Sequence, residues 1–528
     1  MSSFVLPRLD PPGVHALPRP EVSATATYLD TADLRLARAG AWLRHRTGDE
    51  PPWTVRLPRT AERTVVPGTR QEISRPGGPG CPPEELVWLV ATLTRGSSLA
   101  PVAVVRTVRR GLDLVGADGV PLARVSDDTA QVQVPMRGTP GRAFREILVE
   151  RLAGAPKLLA GVPEPPAEAP EIQAGVPEIQ AGVPELLSAV EERLLAAGAR
   201  HGGLLSERVR ALGATAAYPP DALPPAPRLP ATARAADVVI DAVRAGVARV
   251  LAHDPLVRLD EPLPDGDTAV HQMRVGCRRL RSDLRTFAKL VDPRWARPLR
   301  AELRWLADRL AAPRDAEVLR ERLHLTAAAD PPLDGAELAH LDTILAARRD
   351  EAYRALQEAL RTRRYLVLVQ RLTTATRRVP LTAAAGDPAG AALPRLVGKP
   401  WRRLVRGGKG VPGAGRLAPD APDVDWHQVR IHAKRARYAA EAAQAAGDPR
   451  LARLARALAK LQNLLGEHTD AALAAGTWLS LAAAHPDLAE TCTRLAERDR
   501  AAATAVRAAY PARWHKTERK STFLTRQL

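Results

Sequence analysis

The chain has 528 residues, a formal charge of +18 and only 4% aromatic side chains. That length suffices for two or more domains with cores of their own, and the scarcity of aromatics leaves those cores to Leu, Val and Ala. The charge calls for an acidic partner such as nucleic acid, a phosphate polymer or an anionic membrane, and it is unevenly placed: residues 231–528 hold 51 basic and 34 acidic side chains, against 26 and 25 before them. Of the basic residues 69 are Arg and 8 are Lys, a skew that a GC-rich genome also produces, so an Arg cluster carries weight only in register with a repeat. Cys81, Cys277 and Cys492 lie far apart with no CxxC pairing, which argues against a disulfide framework and a zinc site. The longest apolar stretch, Ala471 to Ala484, is too short to span a bilayer, and no basic-then-apolar leader opens the chain. The expectation is a cytoplasmic protein with no membrane partner.

Residues 1 to about 152 read as β-rich. Ala24 to Tyr28, Ala41 to Arg46, Trp53 to Leu57, Pro101 to Val115 and Pro121 to Val134 are alternating or β-branched runs separated by turns such as Gly116 to Gly119. Period-two spacing turns Arg44, Arg46, Arg56 and Arg106 to one side, which predicts an antiparallel barrel or tunnel with a polar lining. Residues 160–185 contain EIQAGVP twice in tandem, a low-complexity surface loop, and a closing helix is predicted over Leu186 to Ala197. The Pro/Ala-rich stretch 213–230 reads as a semi-rigid linker, giving domains at 1–212 and 231–528.

From Ala231 onward a helical period dominates. Helices are predicted over Ala235 to Leu251, Thr268 to Val291, Pro298 to Ala312, Leu338 to Leu360, Leu366 to Arg377, Trp426 to Ala446, Leu451 to Leu465 and Ala471 to Ala484. Short connections predict antiparallel neighbours in an all-α bundle. Within it, His271, Arg274, Arg278, Arg281 and Arg285 fall at spacings of three and four on one stripe, beside an apolar seam of Met273, Cys277, Leu280, Leu284, Phe287 and Val291. Asp283 is the one acid among them. The pattern returns 156 residues later as His427, Arg430, Lys434 and Arg437, with Val429, Ala433, Ala436 and Ala440 as the seam and Arg435 in the place of Arg279. LADRLAAPRD (Leu306 to Asp315) likewise matches LQNLLGEHTD (Leu461 to Asp470), so two four-helix units related by a pseudo-twofold are expected.

A basic helix face is more often solvated surface than binding site; repetition in register with the His shifts the balance. Evenly spaced guanidinium groups suit a linear phosphate polymer, which offers regular charge and no base edges. Arg279 and Arg435 lie adjacent to the stripe, Arg300 and Arg304 on the following helix have the spacing to face it, and His271 and His427 would act as donors. Arg314 beside Asp315 fits an ion pair at least as well as a ligand contact. Leu393 to Gly410, with six basic residues and a Trp, fits a groove extension or a basic loop equally. Tyr438 fits a phosphate donor or a packing residue.

Two resemblances sharpen this reading. YLDTADLRLARAGAWLRHRTG (Tyr28 to Gly48), WTVRLP, RQEI, RTVRR, LARVSDDTAQV and FREILVERL (Phe144 to Leu152) resemble the successive strands of a CYTH domain. The resemblance implies an eight-stranded antiparallel tunnel that binds triphosphate-type anions through Arg44, Arg46, Arg56 and Arg106. Active members hold Mg²⁺ or Mn²⁺ with carboxylates, here Glu72, Asp128, Glu146 and Glu150. The family's opening Glu-x-Glu-x-Lys strand is missing; MSSFVLPRLDPPG begins the sequence, and an in-frame strand upstream of Met1 would restore it. The late acidic strand reads Glu146, Leu148, Glu150, one carboxylate short. Weak metal affinity and an impaired tunnel follow, with Mg or Mn expected only if the tunnel is active.

VHQMRVGCRRLRSDLRTF with ELRWLADRLAAPRDAEVL, and WHQVRIHAKRARYAAE with LQNLLGEHTDAALA, resemble the two halves of a CHAD domain. That resemblance implies binding of inorganic polyphosphate by the basic stripes and association with polyphosphate granules. The alternatives are a metal-dependent triphosphatase acting on phosphate chain ends and, more weakly, a non-specific nucleic-acid binder; aromatic stacking platforms are scarce. No sequence signal sets the oligomeric state.

Overall fold

The computed structural model describes residues 4–11, 13–57, 72–135, 139–140, 143–152, 182–201, 212–220, 229–230, 232–263, 266–329, 334–408, 410–444 and 447–525. They form two compact units, Met1–Pro220 and Asp221–Leu528. The first EIQAGVP copy, the start of the second and residues 221–228 of the linker lie outside the described residues.

The first unit is a nine-stranded antiparallel sheet: β1 (Val14–Pro18), β2 (Val22–Asp30), β3 (Trp42–Arg46), β4 (Trp53–Arg56), β5 (Glu72–Arg75), β6 (Ala100–Gly116), β7 (Pro121–Val134), β8 (Thr139–Pro140) and β9 (Phe144–Arg151). Hydrogen bonding runs β5-β4-β3-β2-β6-β7, with β8 and β9 both on β7 and β1 continuing beside β6 where β2 ends. The β6–β7 hairpin turns at the predicted glycines; Gly119 has φ 82 and Gly116 N–H donates to Val120 O at 2.9 Å. The closed tunnel expected from the sequence is not formed: among the described residues no strand bonds β5 to β8 or β9, so the sheet stays open.

Residues directly opposite across antiparallel strands share a face. One face, carrying Leu114, Ala123 and Val125, is covered by α1 (Gly182–Ala196) through Leu186, Val190 and Leu194. The other carries a small apolar cluster with Tyr28, Trp42, Val105 and Val132, then turns polar.

The second unit is all helical: α2 (Ala235–Leu259), α3 (Ala269–Thr286), α4 (Pro293–Arg309), α5 (Ala311–Ala329), α6 (Gly335–Arg361), α7 (Arg363–Arg377), α8 (Ala389–Arg406), α9 (Asp423–Ala443), α10 (Pro449–Ala484) and α11 (Ala489–Glu518). The repeat is plain at the caps. Asp292 and Asp448, 156 positions apart, each cap a helix that begins with Pro, accepting from the backbone N–H of Arg294 and Arg450. The first copy then breaks at Leu310 into α4 and α5, whereas α10 runs through, where two helices were expected; Gly466 within it lowers helix propensity without ending it. Leu393 to Gly410 is mostly helix as well. Leu393, Val397, Trp401 and Leu404 bury one face of α8, and this packing outweighs Pro394 and Pro400. Both predicted seams are in the core: Met273, Cys277, Leu280, Leu284, Phe287 and Val291, then Val429, Ala433, Ala436 and Ala440, are all 0% exposed. Gly276 lets α3 approach α2, since a Cβ there would meet Val250 at 3.0 Å. No helix among the described residues is long and apolar enough to cross a membrane.

Candidate anion groove

With the seams buried, the neighbouring stripes of α3 and α9 are left at the surface, and the two helices pack against each other. Between them lies a cavity of about 280 Å³ lined by Arg278, Arg281, Ser282 and Arg285 of α3, Arg300 of α4, and Ile431, Lys434, Arg435 and Tyr438 of α9. Six of the nine lining residues are cationic and none is acidic.

That imbalance is visible in their proton affinities. Arg278, Arg281, Arg300 and Arg435 are each held below the usual guanidinium value, first by burial and then by the charge of neighbouring arginines, against a pull from Tyr438 at Arg278 and from Asp308 at Arg281. For Arg278 the repelling neighbours are Arg274, Arg430 and Arg281; for Arg435 they are Arg285 and Arg403 of α8. The stretch Leu393 to Gly410 thus adds one charge, Arg403, to the field. Elsewhere arginines such as Arg124, Arg145, Arg320 and Arg349 lie above the usual value, because a carboxylate sits on each. Arginines set among other arginines, in a groove whose lining holds no carboxylate, form a candidate anion site.

The remaining stripe residues divide into flanks and ties. Arg274 is 3.7 Å from Asp315 and, at the matching place in the second copy, Arg430 is 3.9 Å from Asp470; Nε of each is buried without a hydrogen-bond partner. These are loose pairs that leave donor capacity. His271 and His427 lie below the usual imidazole value, through burial first and then nearby Arg, including Arg314 at His271 and Arg430 at His427. Arg304 is largely exposed, 3.7 Å from Asp308. Arg314 pairs with Glu317 at 3.3 Å rather than with its neighbour Asp315.

Arg279 and Arg437 are placed differently. Glu441 accepts from both, Arg279 also reaches Asp283 at 3.0 Å, and both guanidinium groups lie against the Tyr438 ring, at 5.1 and 5.7 Å. Neither lines the cavity; together they tie α3 to α9. Spacing alone could not separate them, because Glu441 stands where Arg285 stands in the first copy. Ser282 and Ile431 line the groove without any charge to mark them in the sequence.

On the sheet, the pairings Ala26–Arg46, Tyr28–Arg44 and Trp42–Arg56 set Arg44, Arg46 and Arg56 on the polar face, together with Glu72, Asp128, Glu146, Leu148 and Glu150. Arg106 is a correction. It pairs with Thr25 and Gln131, one step out of phase, and is exposed on the opposite face; the arginines that β6 and β7 supply to the polar face are Arg109 and Arg124. Charge on this face is matched. Arg109 grips Asp128 at 2.7 and 2.6 Å, Arg124 reaches Asp113 at 2.8 Å, Arg56 Glu72 at 3.4 Å and Arg46 Asp49 at 3.5 Å. Arg44 stacks on Trp42 at 4.4 Å.

The donor set here does not fit Mg²⁺ or Mn²⁺. Such ions take several oxygen ligands, yet Asp128 and Glu72 are engaged by Arg and Leu148 occupies the position between Glu146 and Glu150. Among the described residues no three His, Cys, Asp or Glu side chains are placed to share an ion.

An open antiparallel sheet followed by a duplicated helical unit with a basic groove defines a two-domain architecture. Residues 13–131 match the CYTH domain family and residues 241–479 the CHAD domain family. Over 482 residues the chain is 31% identical to the uncharacterized protein Rv2226 of Mycobacterium tuberculosis (strain ATCC 25618 / H37Rv), covering 87% of this chain and 83% of that one. Two solved structures are similar in part: PptA from Streptomyces chartreusis (26% identity, TM-score 0.43, 54% of this chain and 100% of that one) and the CHAD domain from the plant Ricinus communis (24% identity, TM-score 0.40, 57% and 95%). The chain belongs to the proteins that join a CYTH domain to a CHAD domain.

Proposed function

We propose that the helical domain binds inorganic polyphosphate in the α3–α9 groove, and that the sheet domain, with its sheet open and its arginines held by carboxylates, does not hydrolyse the chain. The observation that carries this reading is the groove lining: six cations, no carboxylate, and four arginines depressed by burial and by neighbouring arginines. A phosphate chain relieves that repulsion along its whole length, and guanidinium groups meet phosphate oxygens through paired N–H donors. Arg274 and Arg430, in loose pairs, and the two His extend the track at its flanks. Nucleic acid is the poorer fit. The one aromatic ring in the groove lining is Tyr438, which is buried and already faced by Arg279 and Arg437, so no stacking platform is offered to a base.

Competition at fixed salt tests this directly. Long-chain polyphosphate is expected to stay bound when duplex DNA is added at equal phosphate concentration; displacement by DNA would overturn the assignment. For the sheet, no phosphate release from tripolyphosphate is expected with Mg²⁺ or Mn²⁺. Release that disappears in Glu146→Ala would establish a triphosphatase instead.

A further inference from the structure

A second basic cavity lies away from the α3 and α9 stripes. It has about 400 Å³ and is lined by Arg453, Arg456 and Lys460 of α10 and by Arg513, Lys516 and Lys520 at and just beyond the end of α11. With Arg519, seven of its nine lining residues are cationic and none is acidic; among the described residues Asp448, paired with Arg450, also feels the charge of Arg453 without forming an ion pair with it. The spacing is the same in both rows: 453, 456, 460 and 513, 516, 520. Arg453, Arg456 and Lys460 therefore present one charge per turn along one face of α10, as Arg513 and Lys516 do on α11, and Lys520 follows in the turn after that helix.

Two simpler explanations fall short. A helix C-terminus favours cations, which accounts for Lys516, Arg519 and Lys520, but Arg453 sits near the start of α10, where the helix dipole disfavours them. A general preference for Arg from base composition predicts few lysines, yet three of the eight in the whole chain, Lys460, Lys516 and Lys520, line this one cavity. The repeat adds a reason. Arg453, Arg456 and Lys460 stand 156 positions after Arg297, Arg300 and Arg304; in the first copy Arg300 faces Arg281 and Arg285 across the groove. In the second copy the place of Arg285 is taken by Glu441, which neutralises Arg437. The basic row of α10 is completed by α11 instead.

We propose that this cavity is a second anion site, taking a short linear oligophosphate, and that it binds independently of the α3–α9 groove. Lysine ammonium groups supply mobile point charges suited to phosphate, and the concave lining holds no aromatic side chain on which a base would stack.

Calorimetric titration of the full chain with tripolyphosphate at fixed salt tests it. Two binding events are expected, of which Lys460→Ala/Lys516→Ala/Lys520→Ala removes one and Arg278→Ala/Arg281→Ala the other. A triple variant that keeps every event of the parent, or loss of all binding in the groove variant alone, overturns the second site. Since a groove that binds nothing would leave one event, abolished by the triple variant, failure of the groove reading and failure of this one are distinguishable. Should the triple variant not melt cooperatively, Lys516→Glu alone reads the same event, with at least a tenfold loss expected. Displacement of tripolyphosphate from this cavity by duplex DNA at equal phosphate would mark an unselective basic surface and also overturn the proposal.

Discussion

The sheet and the helical groove both line up arginines on one face, and they use them in opposite ways. On the sheet, Arg109, Arg124, Arg56 and Arg46 each have a carboxylate within 3.5 Å. In the groove, Arg278, Arg281, Arg300 and Arg435 have mainly other arginines around them, with Asp308 drawing on Arg281 alone among the four. A matched face gains modest stability from pairs that water already screens. An unmatched one carries repulsion in the free protein and recovers it when an anion arrives. The number of arginines on a face therefore says little about binding; the presence or absence of their acids says more.

The largest expected effect comes from removing the unmatched charge. Arg278→Ala/Arg281→Ala takes away two charged contacts, each about 1.5–3 kcal/mol, so polyphosphate affinity should fall by roughly 100-fold or more. Melting temperature should hold or rise, because like charges are removed. The sheet variant Arg109→Ala should do the reverse, leaving affinity in place while stranding Asp128. If both variants affect binding equally, the contrast between the two faces fails.

A subtler change supplies the missing acid. Ser282 lines the groove with Arg278, Arg281 and Arg285, and Ser282→Glu converts an unmatched face into one like the sheet's. Affinity is expected to drop by about tenfold, which is the cost of one charged contact, as read by competition with labelled polyphosphate. Unchanged affinity would mean that phosphate does not occupy this part of the groove.

Asp283 offers a comparison within α3 itself. Burial pushes its carboxyl up to about 6, from the ordinary 3.8, against the pull of Arg279. A group whose folded value is raised contributes stability that is complete below the unfolded value and is lost as pH rises through the folded one. Asp283→Asn should therefore remove a loss of stability between about pH 4 and pH 6. At pH 7 it should stabilise the protein by up to about 3 kcal/mol, the pull of Arg279 being already contained in the raised value and one pKa unit corresponding to about 1.4 kcal/mol. Thermal melts across that range check it; destabilisation at pH 7 would show that the Arg279 pair outweighs burial.

Much of this is legible in the sequence. The 3.6-residue period with the 156-residue repeat puts both seams in the core and both stripes beside them, because burial follows directly from periodicity. What the spacing does not carry is the identity of the partner across a helix pair. Arg279 and Arg437 look like binding residues until Glu441 is seen to hold them both. Arg106 reads as inward because RTVRR contains arginines of both phases, and only the register with Thr25 shows which phase faces out. Sheet closure is beyond the sequence for a similar reason: the runs mark strands, while closure depends on which edges find each other. The α8 helix is obscured by Pro394 and Pro400, whose local cost is overridden by tertiary packing of Trp401 and Leu404.

The smallest effect expected is a pH dependence set at the ends of the two stripes. His271 and His427 lie below the ordinary imidazole value of 6.5, because burial and neighbouring Arg disfavour the charged ring. The free folded protein thus binds fewer protons there than the unfolded chain, and its stability should decline as pH falls below about 6.5. Bound phosphate acts in the opposite direction, drawing the proton back onto each ring. Binding should take up protons, so affinity should rise as pH falls from about 7 to about 6, by no more than about threefold for two partly screened groups. His271→Gln/His427→Gln should flatten that rise while leaving affinity at pH 8 nearly unchanged, since both rings are neutral there in the parent. A rise that persists in the double variant would place the titrating proton on another group of the protein and remove the histidines from the site, because protonation of the phosphate chain itself takes away negative charge and would weaken binding as pH falls.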